Sequence, residues 1–211
     1  MKLVQTKILA GESDPVSLAA FELIRAEIEE AITKVVNPPG STEFVINPTP
    51  KGNGVVPIKR AFIASLESRG WLIERGFDGA VTKKIRGESR IGAIDALRPA
   101  SGLAGKFAVE WETGNISSSH RAVNKMCLGL LNGTIFGGAL VLPSRELYQC
   151  LTDRIGSYQE LESYFSLWSR IPFPQSSILA IFEVTHDRTD ETVPVIPKGK
   201  DGNADKEPQI Q

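Results

Sequence analysis

The sequence is poor in residues that staple or metal-bind small proteins. Its 211 residues include two cysteines, Cys127 and Cys150, and two histidines, His120 and His186, at unrelated spacings. A disulfide framework and a thiolate or imidazole zinc site are both disfavoured by that count, and a reducing, cytoplasmic setting is expected. No apolar run reaches the ~20 residues needed to cross a bilayer. Met1-Lys2-Leu3-Val4 leads into polar residues, unlike a signal peptide. An excess of either charge is also missing: 24 Lys and Arg face 25 Asp and Glu, for a net charge of −1. A chain coated in basic groups for nucleic acid is thereby excluded, whereas a local basic groove is not. Internal repeats and long linkers are absent. With 41% hydrophobic and 23% charged residues, the composition is that of an ordinary globular chain able to bury a core. One domain over 1–197 is expected. From Lys198 the apolar pattern fades, which predicts a flexible tail over 198–211.

Apolar residues recur at helical spacing in Leu18, Phe21, Ile24, Ile28 and Ile32, predicting a helix from about Ser17 to Val36. Asp14-Pro15 suits its start and Asn37-Pro38-Pro39-Gly40 its end. A second helix is predicted over Pro57 to Arg69, buried through Ile58, Ala61, Phe62 and Leu66. The basic segment from Lys83 to Arg90 reads as a turn. Strands are predicted over Gly92 to Leu97 and Lys106 to Glu112. A helix from about Ser117 to Leu131 follows, with Val123, Met126, Cys127 and Leu130 as its apolar stripe and Asn132-Gly133 as its cap. Ala139 to Leu142 and Ile178 to Val184 read as buried strands, and Ser144 to Leu151 and Tyr158 to Trp168 as short helices. Strands alternating with helices predict an α/β chain, a central mixed β-sheet flanked by helices.

The chemistry concentrates in Ile94-Asp95 and Val109-Glu110-Trp111-Glu112. Alternate residues of a strand share a face, so Glu110 and Glu112 point together while Trp111 points into packing. If the strand carrying Asp95 lies alongside, three carboxylates converge. Such a cluster repels itself and needs bound cations or protons. Oxygen-only ligands suit Mg²⁺, and such ions assist phosphodiester cleavage. The plainer alternative is three solvated charges on an exposed strand. The next residues, Asn115, Ser117, His120 and Arg121, open a helix, and Thr152-Asp153-Arg154 ends another. Asn pairs with adenine, Arg with guanine and Asp with cytosine N4; ordinary capping and a local ion pair are the plain alternatives.

Several runs in unbroken order carry a resemblance: Gly54-Val55-Val56-Pro57-Ile58-Lys59, Glu112-Thr113-Gly114-Asn115-Ile116-Ser117-Ser118, His120-Arg121, Asn124-Lys125, Leu151-Thr152-Asp153-Arg154, and Ile196-Pro197-Lys198-Gly199 with Asp201-Gly202. Together they resemble the BamHI-like type II restriction endonucleases of the PD-(D/E)XK superfamily. The resemblance implies a restriction-endonuclease-like fold, a homodimer acting on palindromic double-stranded DNA, and Mg²⁺-dependent hydrolysis to 5′-phosphate and 3′-hydroxyl ends. It assigns Asp95, Glu110 and Glu112 to the catalytic and metal-binding positions and Glu74 to a fourth acidic, catalytic one. Glu112 stands where most of the superfamily has Lys. Asn115, Ser117, Arg121, Asp153 and Arg154 fall on base-reading positions, which implies the site GGATCC, with a change of one flanking pair as the alternative. Lys59, Lys83, Lys84 and Arg86 become candidate backbone contacts, and Asp201 and Gly202 match residues that reach the minor groove.

Two features depart from the family pattern. Charged residues that pair across the family's dimer interface are replaced by Leu131, Asn132, Ser166 and Ser169, next to Leu167 and Trp168. A dimer held more by apolar contact is therefore expected. The tail beyond Asn203 lacks basic character. Two other readings stay open at this point: a DNA-binding protein of the same fold that cleaves little or not at all, and an unrelated metal-dependent enzyme acting on another phosphate ester. Cys127 and Cys150 read as small core residues. His120 is compatible with packing, phosphate contact or catalysis.

Overall fold

Three apolar segments supply the centre of the molecule. β5 (Lys106–Trp111), β6 (Ile135–Pro143) and β7 (Ile178–Thr185) are buried along almost their whole length, as parallel strands covered on both faces must be. They pair in parallel, Val109 opposite Ala139 and Ala139 opposite Ala180. Antiparallel strands extend the sheet on either side. β1 (Lys2–Ala10) joins β7, β4 (Ile94–Pro99) joins β5, and β3 (Leu72–Arg75) joins β4. The result is a mixed six-stranded sheet of order β1-β7-β6-β5-β4-β3. β2 (Val45–Ile46) and β8 (Arg188–Thr189) form a separate parallel pair. The computed structural model describes residues 1–11, 13–80, 92–99, 105–112, 116–152 and 156–198.

Helices cover both faces. On one, α1 (Pro15–Thr33), α2 (Val56–Glu67) and α4 (Arg145–Cys150) bury Phe21, Phe62 and Leu147 with Phe107, Val109 and Trp111 of β5. Phe21 stacks on Phe107 at 5.7 Å, and Phe62 meets Trp111 at 4.6 Å. On the other face, α3 (Ile116–Leu131), α5 (Tyr158–Glu162) and α6 (Phe165–Trp168) bury Val123, Met126, Leu161 and Trp168 with Ala108, Leu140 and Ile181. α1 starts where its cap requires: the Asp14 carboxylate accepts from the Ser17 N–H at 3.0 Å, with Pro15 in the first turn.

Several elements differ from expectation. The helix expected over Tyr158 to Trp168 is two short ones, because Tyr164 and Leu167 donate to carbonyls three residues back and tighten the chain there. β6 runs well beyond Ala139–Leu142. Its Gly137 and Gly138 lie where a Cβ would meet the Phe107 ring at 2.3 Å and Met126 Sδ at 2.8 Å, so absent side chains let neighbours approach. β1 and β3 have no counterpart in the expected elements; both lie at edges of the sheet. The segment from Lys83 to Arg90 and the tail from Gly199 onward lie outside the described residues.

Candidate active site

The antiparallel ladder of β4 and β5 runs from Pro99↔Lys106 to Ala96↔Val109. One step further it gives way to side-chain chemistry. The Trp111 backbone N–H donates to Asp95 Oδ2 at 2.8 Å, and Lys59 Nζ, from α2, donates to Asp95 Oδ1 at 2.8 Å. Both carboxylate oxygens are thus held, one by each neighbouring element. Glu110 is 3% exposed, and its carboxylate forms an ion pair with Lys125 of α3. Glu112 follows the end of β5, its N–H still donating to Val141 O at 3.2 Å.

These groups perturb one another. Burial, and then the charge of Asp95, push the Glu110 carboxyl up to about 8, with Lys125 and Lys59 opposing. Burial works against the Lys59 ammonium, but the charges of Asp95, Glu110 and Glu112 outweigh it and hold this amine above its ordinary value. Lys59 therefore stands where the fields of all three acidic residues add. Among the described residues no three acidic, histidine or cysteine side chains form a cluster able to hold an ion by themselves. Asp95 and Glu110 are instead divided between two lysines, one from a helix on each face of the sheet, since buried anions need a cation beside them. The donor chemistry fits a hard divalent ion: every acidic ligand is oxygen, and their combined field favours positive charge.

Glu74 is exposed on β3. The pairs Ile73↔Ala96 and Arg75↔Ile94 bracket it against Asp95. Its φ of +50° is unusual for a non-glycine residue, at about 1–2 kcal/mol. Ser117 and Arg121 are exposed on the first turns of α3, and Arg121 donates to Ser118 Oγ at 3.3 Å. His120 lies edge-on to Tyr164 at 4.4 Å and near Trp168 at 5.6 Å, a packing position. Asn115, Asp153, Arg154, Lys83, Lys84, Arg86, Asp201 and Gly202 lie outside the described residues.

The model of the BamHI restriction endonuclease family matches residues 1–203. The chain belongs to that family. The type II restriction enzyme OkrAI of Oceanobacter kriegii is 46% identical over 204 residues, covering 97% of this chain and 99% of the relative. The type II restriction enzyme BamHI of Bacillus amyloliquefaciens is 37% identical over 180 residues, covering 83% and 80%. The crystal structure of free BglII aligns with a TM-score of 0.48 at 11% identity, over 89% of this chain and 81% of that one.

As a member of the BamHI family, the chain is a type II restriction endonuclease. Sequence reasoning missed one part of this candidate site. Lys125 stood in a resembling run with no role assigned, although it lies four residues beyond Arg121 on the same helix. Lys59, expected against DNA phosphate, is found on Asp95. Both cysteines are free and buried, and burial pushes the Cys127 thiol up to about 11, far from nucleophilic chemistry.

Proposed function

We propose that this enzyme hydrolyses both strands of palindromic DNA, at GGATCC, as a Mg²⁺-dependent homodimer in the cytoplasm. The observation that carries the reading is the approach of Asp95 to the end of β5, where its Oδ2 accepts from the Trp111 N–H at 2.8 Å, between Glu110 and Glu112 in the chain. Lys125 ties the same strands to α3, the helix whose first turns bear the exposed Ser117 and Arg121. Asp95, Glu110 and Glu112 would supply carboxylate oxygens to an incoming metal, since by themselves they form no ready-made cluster. Mg²⁺ bound there would polarise the scissile phosphate and lower the pKa of a water. Glu112 orients or deprotonates the attacking water, whose oxygen joins phosphorus as the bond to the 3′ oxygen breaks. The products carry 5′-phosphate and 3′-hydroxyl ends. Lys59 neutralises charge at the phosphate, and Glu74 stands by as a further acidic group.

The assignment of GGATCC rests on Asn115, Ser117, Arg121, Asp153 and Arg154 matching the family's reading positions. Lys83, Lys84 and Arg86 would contact the backbone, and Asp201 and Gly202 the minor groove. The dimer reading rests on exposed apolar side chains: Leu128 and Leu131 of α3, and Tyr164 and Leu167 at α6. Incubation with plasmid DNA and Mg²⁺, followed by sequencing of the ends, tests the proposal. Discrete fragments ending within GGATCC support it. A retarded but intact band means site binding without cleavage, and an unaltered band with no retardation removes both readings.

A further inference from the structure

Ser117, Arg121 and Lys125 follow one another at four-residue intervals and so form one stripe along α3. The first two are exposed, but Lys125 turns inward, its side chain only 13% exposed. Its ammonium has three donors and no acceptor. It forms the ion pair with buried Glu110 of β5 and donates at 2.7 Å to the carbonyl of Ala93, two residues before Asp95. A lysine withdrawn from water this far is stabilised only by such partners. One side chain of the helix that bears the candidate reading residues therefore holds β5 at Glu110 and the residue that leads into β4, the two strands that bear Asp95 and Glu110.

We propose that Lys125 is a positioning residue that couples reading of the DNA site to strand scission. Seating α3 on the correct base pairs sets the Lys125 ammonium, which in turn sets the Glu110 carboxylate and the entry of β4 at Asp95. The inference rests on the reading above, in which Ser117 and Arg121 face bases while Asp95 and Glu110 serve the metal. It adds that discrimination at the cutting stage runs through Lys125.

Lys125→Met keeps the aliphatic stem and removes the donors. Two duplexes are compared, one containing GGATCC and one with a single pair changed. Binding is measured in EDTA, and single-turnover cutting is measured in Mg²⁺. The ratio of binding affinities is expected to stay within about twofold of the wild type. The ratio of cutting rates is expected to fall by about tenfold or more, because the cognate rate alone depends on the coupling. Lys125→Arg, which keeps a cation and donors, recovers part of that ratio. Cutting and binding ratios that both stay unchanged, or that fall in parallel, overturn the proposal. Should Lys125→Met fail to fold, amide exchange of the wild-type protein decides: Ala93 and Trp111, whose N–H donates to Asp95, are expected to slow on the GGATCC duplex only. Equal slowing on both duplexes overturns it. A wild-type protein that cuts neither duplex defeats the endonuclease reading itself, whereas wild-type cutting with unaltered Lys125→Met ratios defeats the coupling alone.

Discussion

Glu110 is a carboxyl group placed where ionisation is disfavoured. In the folded chain burial and the Asp95 charge raise it to about 8, from an ordinary 4.5. The folded state therefore retains a proton that the unfolded state gives up across the interval from about 4.5 to about 8. Stability contributed by this group is fully present below the lower value and is lost as pH rises towards the upper one. Glu110→Gln removes that dependence. In EDTA, the Tm of the wild type is expected to fall from pH 5 to pH 8.5 more steeply than that of Glu110→Gln; parallel slopes contradict the raised carboxyl. Both oxygens of Asp95 accept hydrogen bonds, one from the Trp111 N–H and one from Lys59. Asp95→Asn keeps one acceptor and loses the ion pair, at about 1–3 kcal/mol. It is expected to abolish cutting while GGATCC binding in EDTA stays equal or tightens, as repulsion of phosphate is relieved. Loss of both in a folded variant, by gel shift and cleavage assay, contradicts the role given to Asp95. The approach of the Asp95 strand to β5 was legible from spacing, and the Trp111 N–H on Asp95 realises it, but the expected gathering of three carboxylates is not formed among the described residues. Lys125 was not legible, since a lysine on an amphipathic helix reads as solvated until the fold brings Glu110 and Ala93 to it.

Elements were legible in proportion to the strength of their periodic pattern. α1 and α3 each carry a long apolar stripe, and both appear within three residues of the expected bounds. The buried strands β5, β6 and β7 are apolar runs that only a covered sheet can hold. β1 was not legible: Lys2, Gln5 and Lys7 interrupt its apolar residues, as suits an edge strand with exposed positions. β3 is four residues long at the opposite edge. Gly137 and Gly138 in turn obscured the start of β6, because glycine weakens a strand signal unless a close neighbour explains it. That explanation can be tested by contrast. An added Cβ at Gly137 meets two atoms of the Phe107 ring, at 2.3 and 2.4 Å, in the middle of the aromatic cluster with Phe21. Gly133, with φ +65°, has open space around it. Gly137→Ala is expected to cost about 1–3 kcal/mol through overpacking. Gly133→Ala is expected to cost about 1 kcal/mol through backbone strain alone. Urea midpoints with unchanged slopes check the pair, and equal losses contradict the packing account.

For the whole molecule, the distribution of exposed apolar side chains bears on assembly. Leu128, Leu131, Tyr164 and Leu167 belong to neighbouring pieces of one face: Asn124 of α3 accepts from the Trp168 indole at 3.0 Å, and His120 meets the Tyr164 ring at 4.4 Å. Leu23, more exposed still at 76%, lies on α1 across the sheet. A two-fold dimer apposes the same patch from each subunit, so a single substitution at its middle enters twice. Leu167 is 62% exposed. Leu167→Glu would place two carboxylates near the symmetry axis in place of two leucines, losing apolar burial and adding like-charge repulsion. The dimer is expected to weaken by about 100-fold, or about 2.7 kcal/mol. Leu23→Glu changes charge equally but is expected to leave assembly intact. Sedimentation at micromolar concentration should give a dimer for the wild type and Leu23→Glu, and a monomer for Leu167→Glu. Double-strand cutting should fall with the dimer, since one subunit carries one set of carboxylates and a duplex has two strands to break. A Leu167→Glu protein that sediments as a dimer and cuts normally would place the interface elsewhere.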